Sequence, residues 1–217
     1  MLDFAEARRN MVENQLRPSR IDDPRLLAAM GEVPRELFLP KPLRGVAYSD
    51  DDIELDHGHF LLEPLALAKM LQVAQLRSDE VALVIGCSTG YAAAVMARLA
   101  ATVFLLVEPD EDVTALDRLL NELGCANVLI QQGPLREGLP SQAPFDAILL
   151  PGTVREVPAA LREQLGDGGR LVTVVSDRHA GRVTLFSKVG GAIGRRTPFD
   201  AGTPELVALR PEPRFVF

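Results

Sequence analysis

Gly86, Cys87, Ser88 and Gly90 are the residues best placed for chemistry, with Glu108 about twenty positions further on. They lie in the stretch VALVIGCSTGY, where the short apolar run Val81 to Ile85 meets a glycine turn and then an alanine-rich helical segment. Glycine lets the backbone turn sharply and approach a ligand closely, and the first free N–H groups of the following helix point at whatever binds. A second apolar run, Thr102 to Val107, ends in Glu108, where nucleotide-binding α/β folds present a carboxylate to ribose hydroxyls. Strand, glycine turn, helix, strand and acid together point to a nucleotide-like ligand.

Other candidate chemistries fare worse. His57 and His59 flank Gly58, but no second pair of ligands stands at zinc spacing and the third histidine is His179, so no metal site is expected. Cys87 lies in the turn with no histidine near it in sequence, which argues against a nucleophile; Cys125 reads as a small buried residue. A nicotinamide-dependent oxidoreductase of the short-chain type would need a tyrosine four residues before a lysine, and neither Tyr48 nor Tyr91 has one.

The composition limits partners and location. A net charge of -7 over 217 residues argues against a nucleic-acid binder. Residues 81–97 carry no charge, but glycines, Ser88 and Thr89 interrupt them and Arg98 closes them, so no membrane span is expected. The N-terminus has no apolar signal-peptide core, which implies a cytoplasmic chain with reduced cysteines and no disulfide between Cys87 and Cys125.

These motifs need a scaffold. Helical spacing over residues 3–16 predicts an amphipathic helix, and Asp23 with Pro24 predicts a capped second one. Pro34, Pro40 and Pro42 imply a loop-rich lobe, and the acidic run at residues 49–56 reads as a solvated loop. Beside a ligand site, its field would favour a cation. Leu67, Met70, Leu71 and Ala74 form one stripe of a helix opened by Pro64. Asp110 is expected to cap a helix that Gly124 ends. Further strands are expected at 128–131, 145–150, 170–175 and 182–188, with a helix at 158–165, a turn at 166–169 and a hairpin turn around Gly190, Gly191 and Gly194. Residues 214–217 are read as the last strand. The alternation predicts an α/β fold with a mostly parallel sheet.

With those elements placed, the chain resembles the protein-L-isoaspartate O-methyltransferase family of S-adenosylmethionine-dependent methyltransferases. The resemblance rests on RRNMVENQL, VPRELFLP, AYSD, HGHFLLEP, LGCANV, APFDAILL and VPAALREQLGDGGRLV, in the same order as in the family. It implies a Rossmann-like seven-stranded sheet with helices on both faces, an antiparallel C-terminal edge and a small N-terminal helical lobe. It also implies one domain, with residues 1–62 as lobe and substrate lid and 63–217 as sheet core. S-adenosyl-L-methionine is the implied cofactor, held by Gly86, Cys87, Ser88, Gly90, Glu108 and Leu135. The implied partner is a peptide or protein with isoaspartyl residues, or an unidentified small molecule, entering under the loop before Pro64.

Departures from the family fall where the chemistry would be. Its Thr-Ile-Ser is replaced by Phe60, Leu61 and Leu62, which removes a substrate-orienting hydroxyl and leaves the catalytic residue unassigned among Leu62, Phe60 and His57. Val84 replaces an acid that helps hold the cofactor's ammonium group, Ser88 replaces the middle glycine, and Gly133-Pro134-Leu135 replaces Gly-Asp-Gly. The resemblance implies methyl transfer to isoaspartyl carboxylates, weakened or with an altered substrate. The alternative is a family member without turnover that binds or regulates.

Overall fold

The computed structural model describes residues 3–176 and 181–211. Seven strands form its main sheet: β1 (Val81–Ile85), β2 (Thr102–Val107), β3 (Val128–Gln132), β4 (Phe145–Val154), β5 (Leu165–Ser176), β6 (Gly181–Val189) and β7 (Ala192–Asp200). Their order is β3-β2-β1-β4-β5-β6-β7; the first five run parallel, and β6 and β7 are antiparallel. Alternate residues of each interior strand face opposite layers. Ala82 and Val84 join one core cluster with the N-terminal helices, while Leu83 and Ile85 join another with Phe145, Leu161 and Leu206.

The helices form where their caps and stripes direct. Asp3 caps α1 (Phe4–Asn10), which continues as a wide π turn through Leu16, and Asp23 accepts the Arg25 and Leu26 amides at the start of α2 (Pro24–Glu32). Pro64 opens α3 (Pro64–Ala74), whose expected stripe is fully buried. Next come α4 (Tyr91–Met96), α5 (Thr114–Glu122) and α6 (Ala159–Glu163). Among the described residues no helix is long and apolar enough to cross a membrane. Arg8 joins the lobe together, donating to the Tyr48 hydroxyl and the Glu32 carbonyl, while Tyr48 donates to Glu36.

Several expectations are corrected. Asp112, not Asp110, accepts the Thr114 amide at the start of α5. The glycines at 166–169 do not form a free turn; they bulge within β5, whose register against β4 shifts between Leu165 and Arg170. Accordingly β5 begins at Leu165 and the preceding helix is shorter than expected. Residues 214–217 lie outside the described residues, and the described sheet closes instead on β7, where Ile193, Arg195 and Arg196 are all exposed. The acidic run is only partly solvated: Asp52 is half-buried and accepts the Glu63 amide.

At the amino ends of the strands, Arg170 of β5 ties the sheet to α3. Its guanidinium donates to both Glu80 oxygens (2.7 and 2.6 Å), to the Asp146 and Gln75 carbonyls (3.0 and 2.7 Å) and to the Ala74 carbonyl. Burial alone raises the Glu80 carboxyl, but the Arg170 fork, the Arg77 amide and both guanidinium charges outweigh it and hold Glu80 below the ordinary 4.5. Arg170→Met leaves the buried Glu80 carboxylate with only the exposed Arg77 guanidinium, 3.0 Å away, and should cost up to about 3–5 kcal/mol in urea denaturation. Because the folded value is depressed, the Glu80 contribution is complete above pH 4.5 and lost as pH falls through the folded value. Glu80→Gln should therefore flatten the loss of stability below that pH.

Candidate functional site

The ligand crevice follows from the strand order, which reverses between β1 and β4. β1 ends at Gly86, whose φ of +77° takes the chain out of the sheet, and the turn closes when Gly90 N–H donates to the Cys87 carbonyl at 3.0 Å. Beside it, β2 ends in Glu108. A cleft open to solvent lies between these strand ends; His57, His59, Phe60, Gly86, Ser88 and Glu108 are among the residues around it. Glu111 lies there too, its carboxyl raised by burial and by the Glu108 charge, while His59 pulls it down. Among the described residues no lysine or arginine lines the cleft. A smaller cavity adjoins it behind Phe60 and Gly86, which border both; Leu62, Cys87, Thr89 and Pro151 line its far side.

Gly86, Ser88, Glu108, Leu135, Phe60 and His57 thus converge on the main cleft. His57 is exposed at the tip of a hairpin, in the left-handed region with φ 60°. That hairpin pairs Ile53 and Glu54 with Leu61 and Phe60. Cys87 and Leu62 are buried and face the smaller cavity, where burial raises the Cys87 thiol and Thr89 Oγ1 stands 3.7 Å from it. Gly90 lines neither space: its φ is +77° and a Cβ there would meet Leu116 at 2.4 Å, so its glycine serves packing against α5. Val84 also lines neither; it is fully enclosed in the apolar core, where an acid would be buried without a partner.

One wall of the cleft was not foreseen. Residues 203–209 run beside β4, with Thr153 N–H donating to the Pro204 carbonyl and Leu206 N–H to the Thr153 carbonyl, both at 2.8 Å. Thr153 Oγ1 also donates to the Thr203 carbonyl, and Arg136 to that of Leu209. This strap sets Leu206 against Gly86 and Gly152, and Val207 and Ala208 at the cleft. Its sequence, TPELVAL, has neither strand alternation nor a long stripe, so only its partners reveal its place.

The sites of glycine and carboxylate fit a cationic nucleoside ligand. The cleft carries two carboxylates with no lysine or arginine beside them, and Gly86, at φ +77°, leaves the backbone bare where a Cβ would stand 3.3 Å from Leu206. Sheet order and crevice together define a Rossmann-like α/β protein of the methyltransferase type. The sequence model for protein-L-isoaspartate(D-aspartate) O-methyltransferase (PCMT) matches residues 6–197, and the chain belongs to that family. A Synechococcus protein-L-isoaspartate O-methyltransferase is 41% identical over 80% of this chain and 71% of its own. One from Roseiflexus castenholzii is 38% identical over 88% of both. A solved Plasmodium falciparum structure bearing the same family description, in complex with S-adenosyl-L-homocysteine, superposes with a TM-score of 0.77 over 93% of this chain and 98% of its own at 21% identity.

Gly152 tests the closeness of this packing. A Cβ there would meet Leu206 Cγ at 2.8 Å and Phe60 Cζ at 2.9 Å, so the wall can keep its place only beside glycine. Gly152→Ala should overpack the crevice and lower stability by about 1–3 kcal/mol in thermal or urea denaturation. Unchanged stability would mean that strap and hairpin are not seated on β4.

Proposed function

We propose that the chain is an S-adenosyl-L-methionine-dependent methyltransferase acting on isoaspartyl carboxylates of peptides or proteins, with turnover slowed at the acceptor. The observation that carries this reading is the convergence of Gly86, Ser88, Glu108 and Phe60 on one acidic cleft in a chain of this family. The cofactor, when bound, supplies an activated methyl group on a sulfonium. Glu108 is assigned to its ribose, the turn from Gly86 to Gly90 to its close approach, and Leu135 to an apolar contact. The residues 1–62 serve as lobe and lid within a single domain.

A carboxylate acceptor is already ionised at neutral pH, so this chain need supply no general base; its work is to place two reactants and exclude water. At the acceptor side, however, the family hydroxyl is replaced by buried Leu62, and Phe60 forms the boundary between the two spaces. An acceptor carboxylate brought there loses water without gaining that donor. This same observation favours the second reading, a family member that binds the methyl donor without turnover.

Calorimetric titration with the methyl donor, followed by a radiolabelled-methyl assay on isoaspartyl and matched aspartyl peptides, decides between them. The donor should bind, and Glu108→Ala should weaken it about ten- to a hundredfold, the worth of charge-assisted hydrogen bonds. Transfer to the isoaspartyl peptide should be slow, and Phe60→Thr with Leu62→Ser should raise it. Binding with no transfer in either protein favours the second reading; no binding removes both.

A further inference from the structure

The hairpin that brings His57 to Phe60 to the cleft is followed at once by a peptide group that two side chains of the lobe hold. Arg35 is fully buried in the segment VPRELFLP, and its guanidinium donates from Nε to the Ala47 carbonyl at 2.5 Å and from Nη2 to the Leu62 carbonyl at 2.6 Å. On the other side of the same peptide, Glu63 N–H donates to Asp52 Oδ1 at 2.8 Å. The Leu62–Glu63 peptide thus lies between a cation on its oxygen and an anion on its N–H, an alignment in which both charges stabilise the same dipole. The guanidinium also lies 4.9 Å over the ring of Tyr91, the first residue of α4 after the glycine turn. It has no direct carboxylate partner among the described residues, and the Asp52 charge reaches it across the clamped peptide.

We propose that Arg35 and Asp52 are positioning residues that clamp the Leu62–Glu63 peptide and so hold Phe60 against Gly152, setting the hairpin over the cleft. Two side chains from separate parts of the lobe are spent on one peptide, and that peptide joins the hairpin's second strand to α3. Arg35 fixes the same peptide relative to the first turn of α4, which carries the glycine turn. Asp51 and Glu63 face Asp52 with like charge, while Arg35 opposes them; Lys69 of α3 in turn offsets Glu63. For the ligand that the clamp serves, the inference rests on the functional reading above.

The test follows the Glu63 amide by hydrogen-exchange NMR in the full chain. Asp52→Ala should speed its exchange about tenfold or more while the amides of Val84 and Leu105, deep in the sheet, keep their rates. Asp52→Asn, which keeps an acceptor, should restore most of the protection, and Arg35→Lys, which cannot fork to two carbonyls, should lose part of it. Titration with S-adenosylmethionine should show weaker binding in Asp52→Ala than in the wild type, recovered in part by Asp52→Asn. Unchanged exchange at Glu63 in Asp52→Ala overturns the clamp, as does an acceleration shared equally by Val84 and Leu105, which marks a general loss of stability. If the wild-type chain binds no methyl donor the cofactor reading fails on its own, and the exchange rates still decide the clamp.

Discussion

The site depends on a single backbone constraint: β1 is buried on both faces, so the chain can leave the sheet only at its end, and it does so through Gly86 at a φ of +77°. A side chain at that position would meet both strain and the Leu206 methyls. Because β2 and β4 flank β1 in parallel, their carboxyl ends arrive beside the same turn, and Glu108 and Gly152 come with them. The cleft is thus a consequence of where an apolar strand stops. Hairpin and strap both sit at those strand ends, with Phe60 and Leu206 against Gly152.

The two ends of the sheet do different work. At the amino ends, the fork of Arg170 on Glu80 and on the last carbonyls of α3 joins strand to helix through groups with little exposure. At the carboxyl ends, Thr153, Arg136 and Arg155 hold the strap, and Arg35 and Asp52 hold the Leu62–Glu63 peptide at the foot of the hairpin.

Much of the scaffold was legible because its signals are local. Val81 to Ile85 and Thr102 to Val107 are continuous apolar runs, Asp23 and Pro24 cap a helix within three residues, and the α3 stripe needs only the helical period. What escaped depends on distant partners. β7 is a polar edge strand with nearly every side chain in solvent, so it lacks the alternation that burial imposes. The glycines of β5 read as a turn, but pairing with β4 absorbs them as a bulge. Asp52 is one of several acids in a row, and nothing in that row singles out the one that meets Glu63. At the site itself, Gly86, Ser88 and Glu108 were legible from spacing, whereas Gly90 turned out to serve packing, and Phe60 and Leu62 stood out against the family; the strap of Leu206 was invisible, since its contacts span half the chain.

The central claim is that ligand and covers meet at the strand ends around Gly86. Its most direct test is a hydrogen-exchange footprint of the full chain with and without S-adenosyl-L-homocysteine. Protection should rise at residues 86–90, at 108–111 and in the hairpin at 57–61, and stay unchanged in β6 and β7. Protection that bypasses the glycine turn, or settles on the antiparallel edge at saturating ligand, would contradict the account.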